Sequence, residues 1–167
     1  MAALVAALVE IERYVTKAGW DQPARLFSLV DTANLVAAEP SLADQMNLDL
    51  PGSLSSIEQE GFHDGEDLLA ALSAIYWPPT VDGCAVAVER SFLPMEYEDQ
   101  IPADEIAATQ FVANHPKRQD VRIVVGVLRT GESHGLARLV NNLDELLGSD
   151  DLVPGLTAAL FSTFDNN

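Results

Sequence analysis

The sequence predicts an α+β fold, an antiparallel or mixed sheet of about five strands with helices packed mainly on one face, and three observations carry that prediction. Two runs, 84–93 and 121–128, are strongly apolar and strand-like, and several other segments space their apolar residues as helices do. Strands and helices do not alternate strictly along the chain, which disfavours a wound parallel sheet.

In the first segment Leu4, Leu8, Ile11 and Val15 recur at helical spacing and Gly19 supplies a stop, so a helix is expected from Ala2 to Ala18. The turn Trp20-Asp21-Gln22-Pro23 leads into a short strand, Leu26 to Val30. Asp31 or Thr32 can cap a helix through Ala38, and Pro40 opens a further turn through Met46. Pro51, Gly52 and a serine pair mark a loop before a weak strand, Ser56 to Glu60, with one wet face.

Leu68, Leu69, Leu72, Ile75 and Tyr76 form an apolar stripe on a helix opened by acids and stopped by Pro78-Pro79. Cys84 to Leu93 reads as a strand in which Cys84, Val86, Val88, Arg90 and Phe92 share a face. A helix over Ala103 to Asn114 is closed by His115-Pro116, and Val121 to Leu128 is apolar enough for a central strand buried on both sides. The turn Arg129 to Glu132 returns the chain as a hairpin partner, Leu136 to Val140. Leu152, Leu156, Ala159, Leu160 and Phe164, with Pro154 in the first turn, form the last helix. No internal repeat or long linker divides the 167 residues, so one domain over 1–167 is expected.

A chain of this length hides about 70% of its unfolded surface, enough for a core without staples. Its 48% apolar and 21% charged content is that of a globular protein. Charge is segregated: nine Lys and Arg face 26 Asp and Glu, for a net −17. No basic residue lies between Leu26 and Glu89, whereas Lys117, Arg118, Arg122, Arg129 and Arg138 crowd one segment. Such a balance disfavours nucleic-acid backbones and anionic membranes. The apolar start, Met1 to Val9, lacks basic residues and is broken by Glu10, so neither a leader nor a span is expected there. The single cysteine, Cys84, reads as a small buried hydrophobe in a reducing, cytoplasmic setting.

Gly131-Glu132-Ser133-His134-Gly135 matches the G-x-S-x-G pattern of a nucleophile elbow, but it joins two strands and has no histidine downstream of His134, so hairpin glycines explain it better. His63, Asp64, Glu66 and Asp67 carry metal-ligand chemistry, yet acids at a helix start offset the macrodipole and no second His or Cys stands nearby. Glu58 and Glu60 share one face of a strand and could divide acid and base roles; a solvated edge is the simpler reading. Walker loops, G-x-G-x-x-G turns and C-x-x-C pairs are absent, and no cofactor or metal is expected.

Arg90, Arg122, Arg129 and Arg138 lie in or beside strands, where two or more could converge to clasp a carboxylate or phosphate ligand. The competing reading pairs them internally with Glu89, Asp120 or Glu132. Trp20 and Trp77 stand at turns, where indoles either plug a core or anchor a partner.

Gly19-Trp20-Asp21-Gln22-Pro23, Glu39-Pro40-Ser41-Leu42, Val88-Glu89-Arg90, the run from Asp120 to Arg129, and Asp151-Leu152-Val153-Pro154-Gly155-Leu156 together resemble a family of small acidic actinobacterial proteins of unknown function. The resemblance implies a soluble α+β protein of one domain and brings no catalytic residue with it. The expected role is a non-enzymatic acidic binding or adaptor protein meeting a basic or neutral protein partner. The alternative is an anionic small-molecule binder or enzyme built on the arginines, with His134 or Glu89 moving a proton. Sheet edges and exposed aromatics are compatible with a homodimer.

Overall fold

A computed structural model of the protein describes residues 2–41, 52–62, 67–140 and 142–165. The element order is α1 (Ala2–Thr16), β1 (Arg25–Asp31), α2 (Thr32–Ala38), β2 (Leu54–Glu58), α3 (Leu68–Ser73), β3 (Gly83–Phe92), a 3-10 helix (Met95–Gln100), α4 (Glu105–Asn114), β4 (Gln119–Leu128), β5 (Ser133–Leu139), β6 (Asn142–Ser149) and α5 (Pro154–Asp165). The strands form one antiparallel sheet in the order β2-β1-β3-β4-β5-β6. The α+β class holds, with six strands among the described residues where about five were expected.

The additional strand is β6, whose Asp144, Glu145 and Gly148 obscure any alternation. Its pairing with β5 jumps from Arg138↔Leu146 to Leu139↔Asn142, leaving 143–145 bulged out of the ladder. The turn expected through Met46 lies largely outside the described residues.

Helices cover both faces of the sheet, which corrects the expectation of one face. Successive side chains of a strand point to opposite sides. Cys84, Val86 and Val88 of β3 and Ile123, Val125 and Val127 of β4 therefore join Leu72 of α3 and Leu156 and Leu160 of α5 in one core. Ala85, Ala87 and Val124 face the other way, with Phe27 and Leu29, onto Leu4, Leu8, Ile11 and Val15 of α1. The small residues on this second face let α1 approach closely. At Gly126 a Cβ would stand 2.6 Å from a Leu8 methyl, so the Leu8 side chain rests directly on the strand backbone.

Candidate functional site

Glu12 interrupts the apolar stripe of α1, next to Ile11 and four residues after Leu8, so the helix carries it into the interface with the sheet, where it is 2% exposed. Arg122 of β4 and Arg138 of β5 lie directly opposite one another on that face. Two guanidiniums in register repel, and Glu12 offsets them. Arg138 donates from Nε and Nη2 to Glu12 Oε1 at 3.1 and 2.8 Å. Arg122 donates from Nη1 to Glu12 Oε2 at 3.4 Å and Thr16 Oγ1 at 3.0 Å, and from Nη2 to the Gly19 carbonyl at 2.8 Å. Its guanidinium carbon also stands 4.4 Å from the centroid of the Trp20 ring. Burial alone would push the Glu12 carboxyl up; hydrogen bonds from Arg138 and Thr16, with the charges of both guanidiniums, outweigh it and hold the group below the usual carboxylate range.

The turn after α1 belongs to the same assembly. Gly19 and Asp21 adopt left-handed backbone, φ 82° and 65°, and the N–H groups of Asp21 and Gln22 donate to the Glu89 carboxylate at 2.9 and 2.6 Å. Glu89 is thus committed to backbone, while Asp120 meets Ser91 at 2.6 Å and Arg118 at 3.6 Å. The acid that joins Arg122 and Arg138 is Glu12, which sequence reasoning had not singled out. Its one signal was a carboxylate set inside an apolar helical stripe.

The other two arginines lie elsewhere. Arg129 binds carbonyls of the segment before β3, with Nε to Val81 at 2.6 Å and Nη2 to Pro78 at 2.9 Å, and stacks 4.5 Å from the Phe164 ring centroid. Arg90 is exposed and donates to the Glu89 carbonyl at 3.2 Å. Hence Arg122 and Arg138 converge on one internal carboxylate, and Arg90 and Arg129 do not join them.

Ser133 and His134 are consecutive residues of β5 and project to opposite faces, so the imidazole is misplaced to take the serine proton. Ser133 Oγ donates to the Asp150 carbonyl at 2.8 Å, and His134 Nδ1 lies 3.3 Å from Asp150 Oδ1. Glu58 forms a two-point pair with Arg25, at 2.6 and 2.7 Å, whose hydrogen bonds lower its pKa, while Glu60 sits exposed in the following turn. His63, Asp64 and Glu66 lie outside the described residues; Asp67 caps α3, accepting from the Leu69 and Ala70 N–H groups. Among the described residues no group of three His, Cys, Asp or Glu side chains could hold a metal ion, and no helix is long and apolar enough to cross a membrane. Cys84 is fully buried beside Thr163, and burial pushes its thiol up to about 12.

Trp77 is buried, and its indole N–H donates to Thr163 Oγ1 at 2.9 Å. Its neighbour Tyr76 is 61% exposed. Together with Pro78-Pro79, Leu35 and Ala38 of α2 and Ile57 of β2, they wall a cavity of about 630 Å³. A second cavity of about 450 Å³ continues past Glu58, Glu60 and Phe62, sharing Ile57, Gln59, Tyr76 and Trp77 with the first. Among the described residues no lysine or arginine lines either cavity, whereas Asp82, Glu58 and Glu60 do. The result is an open apolar groove with acidic edges, contributed by segments scattered from Leu26 to Asp82.

A family model for PPA1309-like protein matches residues 4–165, nearly the whole chain. The chain belongs to this uncharacterised family. No curated protein and no solved structure matches it. Three of the segments that carry the family resemblance, 19–23, 88–90 and 120–129, meet around Arg122 and Glu89. These segments build the architecture that seats α1 on the sheet. The groove draws on other stretches of the chain.

Proposed function

We propose that this protein is a non-enzymatic binding protein whose groove between α2, β2 and the 76–82 segment receives an extended, apolar and positively charged segment of a protein partner. The observation that carries this reading is the groove itself: two adjoining apolar cavities, open at Tyr76 and Ile57, with carboxylates and, among the described residues, no basic side chain on their walls. Two adjoining cavities that share Ile57, Gln59, Tyr76 and Trp77 suit a chain better than a compact ligand. The charge balance supports the same partner. Arg25, Arg118, Arg122 and Arg138 are engaged by internal carboxylates and Arg129 by carbonyls, so a chain already at −17 presents an acidic surface. Complementary charge speeds encounter and excludes acidic competitors such as nucleic acids and anionic lipids. A cytoplasmic, actinobacterial setting goes with this proposal, supported by the one buried thiol and the resemblance described above.

The arginine-based alternative has less support, because Arg122 and Arg138 spend their donors on Glu12, Thr16 and backbone. Peptide-display selection against the intact protein tests the groove. Selected peptides should combine apolar residues with Lys or Arg and lose binding to Ile57→Asp and Tyr76→Asp, both exposed sites whose substitution leaves folding intact. Equal recovery of the same peptides on wild type and both variants would remove the groove as the binding site.

A further inference from the structure

We infer that the arm formed by residues 93–118 is a second docking surface, built for a basic amphipathic segment of another protein. Between β3 and β4 the chain leaves the sheet, forms the 3-10 helix and α4, and returns. None of the ten residues of α4 is buried. Ile106 is 72% exposed, Met95 is 82% exposed, and Phe92 at the end of β3 is also open to solvent.

The arm is nevertheless ordered from within. Asp104 caps α4 by accepting from the Ala107 N–H at 2.9 Å, the His115 N–H donates to Val112 at 3.2 Å, and the His115 ring lies 4.8 Å from Tyr97 and 5.5 Å from Phe111. A helix this short is marginal without tertiary cover, so α4 is stabilised by a partner laid on it.

Charge selects the occupant. On the arm Glu96, Glu98, Asp99, Asp104 and Glu105 outnumber Lys117 and Arg118 at its end, and Arg118 is paired with Asp120 at 3.6 Å. A second copy of the chain would set the same net negative arm, five acids to two bases, against this one, and an anionic membrane would repel it likewise. A partner helix with Leu- or Met-type residues on one face and Lys or Arg beside them satisfies both the apolar side chains and the carboxylates. The arm also lies well away from the groove. Asp82 lines the groove at one end of β3 and Phe92 meets the arm at the other; ten residues at about 3.3 Å each separate them by roughly 30 Å. Both surfaces can be occupied at once, which is what an adaptor requires.

Hydrogen–deuterium exchange on the full chain with a lysine–leucine amphipathic peptide, against its glutamate–leucine counterpart, tests the inference. The lysine peptide is expected to slow exchange of the α4 amides at least about tenfold, to bind more weakly as salt rises, and to lose at least about tenfold in affinity to Met95→Asp and to Ile106→Asp. Tyr76→Asp should leave this binding unchanged, so failure here and failure of the groove are read separately. Three results overturn it: protection confined to other elements, undiminished binding by both arm variants, or a native dimer that Ile106→Asp dissociates, which would assign the surface to a second copy.

Discussion

Glu12→Gln isolates the charge that joins α1 to the sheet, because the amide keeps the shape of the side chain and removes its negative charge. In the native protein Glu12 receives two hydrogen bonds from Arg138 and one from Arg122, while Arg122 itself is 4% exposed. Breaking a buried pair by removing one partner costs about 3–5 kcal/mol, since the remaining charge keeps its desolvation penalty. Arg122 retains Thr16 and the Gly19 carbonyl, and Arg138 retains the Leu143 carbonyl, so the lower end applies. A loss of about 3 kcal/mol in a chain of this length lowers Tm by roughly 6–12 °C. Calorimetry or urea titration of both proteins at neutral pH measures it. Replacing Glu12, Arg122 and Arg138 together by leucine should recover most of that loss, because apolar groups of similar volume avoid desolvation altogether. A shift under about 2 °C for Glu12→Gln, or a triple variant no more stable than the single one, would refute the assignment of this cluster as a buried, charge-dependent clamp.

Three further outcomes follow from the same geometry. The Glu12 and Glu58 carboxyls are both held below their ordinary range, so the stability they contribute is complete above about pH 4.3 and is lost as pH falls through their lower native values; the gap between wild type and Glu12→Gln should close in acid melts. Gly126→Ala drives a methyl into Leu8 and should cost about 1–3 kcal/mol in chemical denaturation, where an exposed site such as Gly155 would show no comparable steric loss. The Cys84 thiol should resist a thiol reagent in the native protein at pH 8 and react promptly in denaturant; fast native labelling would show that the α5 face opens.

The elements most legible in the sequence were those whose pattern is local and strong. β4 reads as a doubly buried strand because Val121 to Val127 is apolar at every position but Arg122 and Gly126, and both exceptions lie on the α1 side. α1 and α5 follow from stripes at helical spacing, and the α4 boundary agrees to within two residues because Asp104 is its cap. β6 was hidden because a bulged edge strand rich in acids has no alternation to detect. The one-face expectation failed for a related reason: alternation within β3 and β4 puts alanine and glycine on the second face, and small residues give little hydrophobic signal even where a helix covers them. At the candidate sites the arginines were visible as residue types, but their partner lies 110 and 126 positions away along the chain. The groove was less visible still, since no single segment contains it.

The clamp that seats the first helix also orders events in time. While the chain is being made, Glu12 has no counter-ion on the sheet until Arg122 has been polymerised, 110 positions later, and its second, Arg138, follows at 126. At about 5–20 residues per second the first of these arrives after roughly 6–22 s, during which the nascent helix must keep its leucine-rich side covered by other means. Swapping synthesis order by circular permutation, with the first helix translated last, would remove the wait and leave the finished architecture the same.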